Sequence, residues 1–139
     1  MGRAGLVTAA VAAGLLLAAE LAVAHHAFSA EFDVDSPISL NGTVTRVEWL
    51  NPHSWIYIDV PGAGGEMESW AIEVGPPGPL FRRGIRREML PVGSAIQVDG
   101  FQAHDKSKRA TGLDVTFPDG RRIFTGSANT GAPRSPAQR

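Results

Sequence analysis

The chain has 139 residues, of which 43% are hydrophobic and 19% are charged, a composition typical of one small globular domain. Its formal net charge is −1, from 13 Lys and Arg against 14 Asp and Glu, so it lacks the basic composition typical of nucleic-acid-binding proteins. The absence of cysteine excludes disulfides, thiolate metal ligands and a cysteine nucleophile.

The N-terminal segment has the pattern of a secretory signal peptide. Met1-Gly2-Arg3 supplies a positive start, residues 4–19 are almost entirely apolar, and Ala22-Val23-Ala24 is a small-x-small site for signal peptidase. Glu20 interrupts the apolar run before it reaches the roughly 20 residues that a transmembrane helix needs. We therefore expect a signal peptide over residues 1–24, a periplasmic or secreted mature protein, and no membrane span after cleavage.

Hydrophobic residues of the mature chain alternate with a period of two, which is typical of β-strands. The alternation breaks at Pro79–Leu90, where one or two short helical turns around Gly84 are predicted. Pro118-Asp119-Gly120 is a hairpin turn signal. Predicted strands cover Ile38–Trp49, Ser54–Val60, Met67–Val74, Ala95–Phe101, Leu113–Phe117 and Arg122–Phe124.

Three strands, a short helix and then two or three strands predict an all-β protein with one short helix. We expect a small five- to six-stranded OB-like Greek-key barrel over residues 25–124. The alternative is a β-sandwich, which normally needs about seven strands, more than the pattern supplies. Residues 125–139 are mostly Gly, Ser, Ala and Pro and are predicted to form a disordered tail.

Cleavage after Ala24 would make His25 and His26 the first two residues of the mature protein. An N-terminal histidine can bind one metal ion through its amine and its Nδ1 atom, and a further imidazole completes a three-nitrogen set that suits Cu(II). His26 or His53 would supply that imidazole. The sequence therefore predicts a copper-type metal site formed by His25, His26 and His53.

Nearby acidic residues are expected to accept hydrogen bonds from the ring N–H groups of these ligands: Glu31, Asp33 and Asp35. The alternative is that His25 and His26 belong to a free terminus, but the spacing of Phe28 and Phe32 indicates a segment anchored to the barrel. His53 follows Asn51-Pro52, a turn initiator, and is alternatively a turn residue bonded to a loop carbonyl. His104 lies in a polar loop and is predicted to be exposed.

Two further features are candidates for binding a small ligand or a partner protein. Trp55 and Tyr57 share one face of their predicted strand, opposite the expected core residues Ile56, Ile58 and Val60. With His53 they would form an aromatic strip of the kind on which small barrels stack their ligands, and Asn51 is a further candidate for binding the ligand. Trp70 shares a face with Ile72 and is predicted to be buried.

The second feature is the arginine cluster, defined as Arg82, Arg83, Arg86 and Arg87, which we expect to be exposed and able to bind an anion. Charge is distributed unevenly along the predicted mature chain. Residues 25–73 hold eight acids and one base, for a net charge of −7, whereas residues 74–139 hold eleven bases and five acids, for +6. Either the two halves neutralise each other across strands, or the cluster stays unneutralised at the surface.

No catalytic motif is found: the chain has no G-x-S-x-G, no His-Glu-x-x-His and no phosphate-binding glycine loop. An enzyme is therefore not expected. Three function classes stay open: a metal-binding protein, a non-catalytic binding module and, as the one route to an enzyme, an oxidase that uses copper at the N-terminus.

Four segments together resemble a family of uncharacterised exported bacterial proteins, a domain of unknown function: HHAFSAEFD (residues 25–33), GTVTRVEWLNPHSWIYIDV (residues 42–60), SWAIEVGPPGPLFRRG (residues 69–84) and FPDGRR (residues 117–122). The resemblance covers nearly all of residues 24–124. It implies a single-domain exported protein and no particular activity. His25, His26 and His53 are family-like positions.

Overall fold

A computed structural model describes residues 28–127. The predicted signal peptide, His25 and His26 lie outside the described residues, as do residues 128–139. A helical turn at residues 28–31 is followed by six strands and two short helices. Their bounds are β1 Phe32–Glu48, β2 Ser54–Pro61, β3 Met67–Val74, α1 Pro77–Arg82, a 3-10 helix Arg87–Met89, β4 Ala95–Ala103, β5 Arg109–Thr116 and β6 Arg122–Phe124.

All six predicted strands are present, and β3 and β6 have the predicted bounds. The prediction was wrong at the start of two strands, because β1 begins at Phe32 rather than Ile38 and β5 at Arg109 rather than Leu113. In β5, every residue from Ala110 to Val115 is buried. A strand buried on both faces has no alternation of apolar and polar residues, so the period-two signal did not reveal its first half.

The sheet closes on itself, which confirms an all-β, OB-like barrel. The strand order is β3-β2-β1-β4-β5-β6, and a parallel pairing of β3 with β5 links the two ends. β1 takes part in two antiparallel pairings, with β4 along its first half and with β2 along its second. Gly100 lies at a register shift between β4 and β5, where an added Cβ would be 1.8 Å from the Thr111 carbonyl oxygen. A glycine at this position therefore allows the close approach of the two strands.

The main core lies inside this barrel. Ile56 and Ile58 of β2 point inward and are fully buried, and Trp70 and Ile72 of β3 join them, all as predicted. The segment between β3 and β4 contributes further side chains to the same core: Leu80, Ile85 and Leu90. Pro76 and Pro77 stand at the start of α1. Proline is well tolerated there, because a backbone N–H at the first helical positions would have no intrahelical acceptor.

A second apolar cluster anchors the N-terminal segment to the barrel, as the spacing of its phenylalanines predicts. Phe28 and Phe32 are buried against one another and against β4 and β5; their partners are Phe101, Ala103 and Leu113. At the other end, Thr125 is fully buried and its hydroxyl donates to the Gly112 carbonyl at 3.0 Å. The backbone N–H groups of Thr125 and Gly126 also donate to the Leu113 carbonyl, so the residues directly after β6 pack against β5. Within residues 28–127, no helix has the length and apolar character to span a membrane.

Candidate functional site

His53 lies immediately before β2, after the exposed Asn51 and a cis Asn51–Pro52 peptide bond. Its Nδ1 atom is 2.7 Å from Oε1 of Glu73, with 38% of the His53 side chain and 13% of the Glu73 side chain exposed. The Nε2 atom of His53 has no partner in the described part of the chain. The contact with Glu73 therefore orients the ring and leaves its second nitrogen open.

The register of the β2–β3 hairpin explains why Glu73 meets His53. Trp55 pairs with Glu73 and Pro61 with Met67 across the glycine-rich turn at residues 62–66, so Glu73 lies diagonally across from His53 on the same face. Burial raises the pKa of the Glu73 carboxyl, and the neighbouring His53 and Arg109 oppose that rise. Glu31 adds to it, as a nearby like charge does.

Arg109 and Glu31 complete the group that we call the His53 cluster, whose members are His53, Trp55, Glu73, Arg109 and Glu31. Arg109 Nη2 is in direct contact with Glu31 Oε1. The Arg109 guanidinium carbon lies 5.7 Å from the ring centroid of Trp55. Since Glu31 belongs to the anchored helical turn, the N-terminal segment reaches the cluster from one side.

The carboxylate beside His53 is not one of those expected from the sequence. Glu31 is paired with Arg109, and Asp33 accepts hydrogen bonds from Lys106 Nζ at 2.7 Å and from the Ser36 hydroxyl at 2.8 Å. The prediction considered only acids close in sequence to His25. A register count from the glycine-rich turn places Glu73 opposite Trp55, and therefore diagonally across from His53 on the same face of the hairpin. The alternative in which a loop carbonyl holds His53 is also wrong, because its partner is a carboxylate.

The three predicted metal ligands are not brought together by the described residues, because His25 and His26 lie outside them. No group of three or more His, Asp or Glu side chains within residues 28–127 is arranged to hold a metal ion. His104 is exposed, and its Nε2 atom is 3.0 Å from the Ser29 carbonyl oxygen. Of the three predicted metal ligands, His53 is therefore the one that lies within the described residues.

The aromatic strip lies on the outer face of β2, with Trp55 and Tyr57 half-buried. Arg46 covers Tyr57, with its guanidinium carbon 3.8 Å from the ring centroid, and the Tyr57 hydroxyl donates to Glu48 Oε2 at 3.1 Å. Burial, together with this hydrogen bond, raises the pKa of Tyr57. A ligand stacking on that ring face would have to displace Arg46.

The arginine cluster is at the surface, as predicted: Arg82, Arg86 and Arg87 are exposed and Arg83 is half-buried. Arg83 Nη1 donates to the Gly126 carbonyl at 2.7 Å. Arg86 Nη1 donates to the carbonyls of Phe81 and Ile85 at 2.6 and 2.9 Å. These partners are neutral, so the hydrogen bonds fix the side chains without cancelling their charge.

Comparison with known proteins places the chain in a family. No curated protein matches it. The model of DUF6152, described as a family of unknown function, matches residues 11–114. The match includes the predicted ligands His25, His26 and His53, the aromatic strip and the arginine cluster. Because this match covers well over half of the sequence, the chain belongs to the DUF6152 family of unknown function.

Proposed function

We propose that the chain is an exported metal-binding protein that holds a late transition metal, copper in the first place, with His25, His26 and His53. The observation that carries the proposal is the contact between His53 Nδ1 and Glu73. Metal-ligating histidines almost always donate their other ring N–H to a carboxylate or a carbonyl, which fixes the tautomer and raises the basicity of the ligating nitrogen. His53 has this arrangement, with Nε2 as the open nitrogen.

The anchored N-terminal segment supports the participation of His25 and His26. Phe28 is buried, and Glu31 contacts Arg109 within the His53 cluster. His26 and His25 precede Phe28 by two and three residues, and an extended chain spans at most about 3.6 Å per residue, so they lie within about 7 and about 11 Å of Phe28. Chain length therefore keeps both histidines within reach of the anchored residues, and Arg109, which contacts Glu31 and lies 5.7 Å from the Trp55 ring, links the same segment to the strand that follows His53.

The chemistry of the donor set supports copper. Imidazole nitrogens suit Cu, Zn and Ni, and a set made only of nitrogen donors favours Cu(II) in a planar geometry. A free amine on His25 requires cleavage after Ala24, so the proposal includes export through a cleaved signal peptide. The absence of cysteine fits a ligand set that persists in an oxidising compartment.

The test is a copper titration of protein exported from a bacterial host, with the N-terminus read by intact mass. We expect a mass that begins at His25 and one tightly bound Cu(II). His25→Ala and His53→Ala should each abolish tight binding. Glu73→Gln should weaken it about 10- to 100-fold, because the ligand stays but its orienting carboxylate is lost.

Two matched variants make this test specific. One extra alanine ahead of His25 keeps every imidazole but moves the amine, so it should abolish tight binding. His104→Ala removes an imidazole outside the proposed set and should leave binding unchanged. A protein that begins at His25 and retains no copper, or one whose N-terminus is elsewhere, would contradict the proposal.

A second candidate function is a non-catalytic binding module of the cell envelope that uses the aromatic strip. It is favoured by one observation, the half-exposed Trp55 and Tyr57 side by side on an outer barrel face. Oligosaccharides are the first probe, since barrels of this type bind them on that face. Trp55→Ala combined with Tyr57→Ala should abolish such binding and leave copper binding intact. If no oligosaccharide changes the tryptophan fluorescence, this candidate is wrong for sugars.

A further inference from the structure

The arginine cluster differs from every other basic group that the structure describes. Between residues 28 and 127, each Lys or Arg outside the cluster forms an ion pair with a carboxylate: Arg46, Lys106, Lys108, Arg109, Arg121 and Arg122. No carboxylate of the same range pairs with a member of the cluster. The arginine cluster lies in the connection between β3 and β4, whose one acid, Glu88, is exposed. This connection therefore carries a local net charge of +3, from four arginines and one glutamate.

Three of the four guanidinium groups, those of Arg83, Arg86 and Arg87, are fixed by neutral neighbours. The guanidinium carbon of Arg87 lies 5.2 Å from the ring centroid of Trp49 and 5.6 Å from that of Phe81. Arg83 stacks on Phe124 at 4.8 Å, and Arg86 is held by two carbonyls. Binding an anion would therefore cost less side-chain entropy than it would for free arginines.

Apolar side chains lie beside these cations. The rings of Trp49 and Phe81 are 5.3 Å apart, and Leu50, the next residue after Trp49, is 52% exposed. A tryptophan in contact with an arginine and followed in the chain by an exposed leucine is a combination that peripheral proteins place at the boundary between lipid headgroups and acyl chains. The patch thus offers both electrostatic and apolar contacts to the same surface.

We propose that the arginine cluster, with Trp49 and Leu50, docks the protein on an anionic phospholipid surface. The guanidinium groups bind headgroup phosphates, whose geometry matches the planar fork of arginine donors. A negative surface attracts the cluster more strongly than the other bases of residues 28–127, because those bases are paired with carboxylates. The exposed Leu50 favours a lipid surface over a nucleic acid, because an aliphatic side chain can enter the acyl boundary of a membrane but does not stack on bases.

The test is co-sedimentation with vesicles of phosphatidylglycerol and phosphatidylethanolamine, compared with vesicles of phosphatidylcholine, at low ionic strength. The variant Arg82→Gln/Arg86→Gln/Arg87→Gln should bind the anionic vesicles at least about tenfold more weakly than the unchanged protein. The matched variant Lys106→Gln/Lys108→Gln/Arg121→Gln loses the same charge from paired bases and should bind as before. All three proteins carry the same N-terminal residues, so any apolar leader contributes equally to each.

Several outcomes would overturn the proposal. These are equal weakening in the two triple variants, equal binding to phosphatidylcholine, no binding to anionic vesicles, and full competition by inorganic phosphate, which would assign a free-phosphate site instead. Arg82→Glu guards against misfolding, because the Arg82 side chain makes no hydrogen bond or ion pair within the described residues. It should weaken vesicle binding while circular dichroism stays unchanged. The proposal is independent of the metal site, so copper binding should be the same in all of these variants.

Discussion

Two basic segments of similar charge density have opposite surroundings. One is the β4–β5 connection, where Lys106, Lys108 and Arg109 pair with Asp33, Glu68 and Glu31 respectively. The other is the arginine cluster, which has no carboxylate partner among residues 28–127. Neutralisation between the acidic and basic halves is thus confirmed for the first segment and not for the second.

The topology accounts for this difference. β4 pairs with the first half of β1, and β5 pairs with β3, so the β4–β5 connection meets acids from both strands and from the turn before β1. The arginine cluster belongs to the connection between β3 and β4, where its guanidinium groups contact aromatic rings and carbonyl oxygens. A basic segment is therefore neutralised where the barrel places acids opposite it, and stays available for binding where the barrel does not.

The largest expected effect comes from the apolar side chains beneath the paired segment. Phe32→Ala should lower the free energy of unfolding by about 3 to 5 kcal/mol, because Phe32 is 3% exposed and its removal leaves a cavity. Lys108→Ala removes a surface ion pair and should cost at most about 1 kcal/mol. Urea unfolding measures both. A larger loss for Lys108→Ala than for Phe32→Ala would show that charges, rather than apolar burial, anchor this region.

Low pH is expected to have a smaller effect on the stability of the protein. Lys106, the Ser36 hydroxyl and the Asp35 backbone N–H hold the pKa of Asp33 well below its ordinary value. A depressed pKa contributes stability that is present above the unfolded value, about 4, and is lost as the pH falls toward the folded value. The urea midpoint of the unchanged protein should fall on acidification below that point. Asp33→Asn and Lys106→Met should both reduce this fall, and an unchanged profile in either variant would contradict the assignment.

In the smallest expected effect, removing one charge from each basic segment changes the free energy of unfolding in opposite directions. Arg82→Gln should raise the free energy of unfolding by no more than about 0.5 kcal/mol, because it relieves repulsion among unpaired like charges. Lys108→Gln should lower it, because it breaks an ion pair. Added salt should shrink both changes, since both are electrostatic. Thermal unfolding at low and high salt checks the signs, and a destabilising Arg82→Gln would mean that the cluster has a partner in the folded chain.

Much of the fold follows from local patterns in the sequence. The alternation of Ile56 and Ile58 with Trp55 and Tyr57 separates core from surface, because a strand directs successive side chains to opposite faces. The glycine-rich turn identifies the β2–β3 hairpin, and the prolines mark the break before α1. The first half of β5 was missed because burial on both faces removes alternation.

The candidate site was predictable only in part. His53 was identified by its residue type and its turn, but the acids near His25 were taken as its partners, and Glu73 was not considered. Arg109 was also missed, because nothing local connects it to Glu31, which lies 78 residues earlier in the chain. Contacts at such separations depend on which strands pair and in what register.

The sequence by itself therefore determined the strands, the inward-facing residues and the presence of a dense arginine cluster. Each of these depends on the chemistry of neighbouring residues and on a short structural period. Only the tertiary structure decided that β3 and β5 close the barrel, that Glu73 orients His53, and that the arginines stay unpaired while the β4–β5 connection is neutralised. Those outcomes depend on long-range pairing, in which the free energy of the whole packed barrel selects one set of contacts among many that the local sequence would permit.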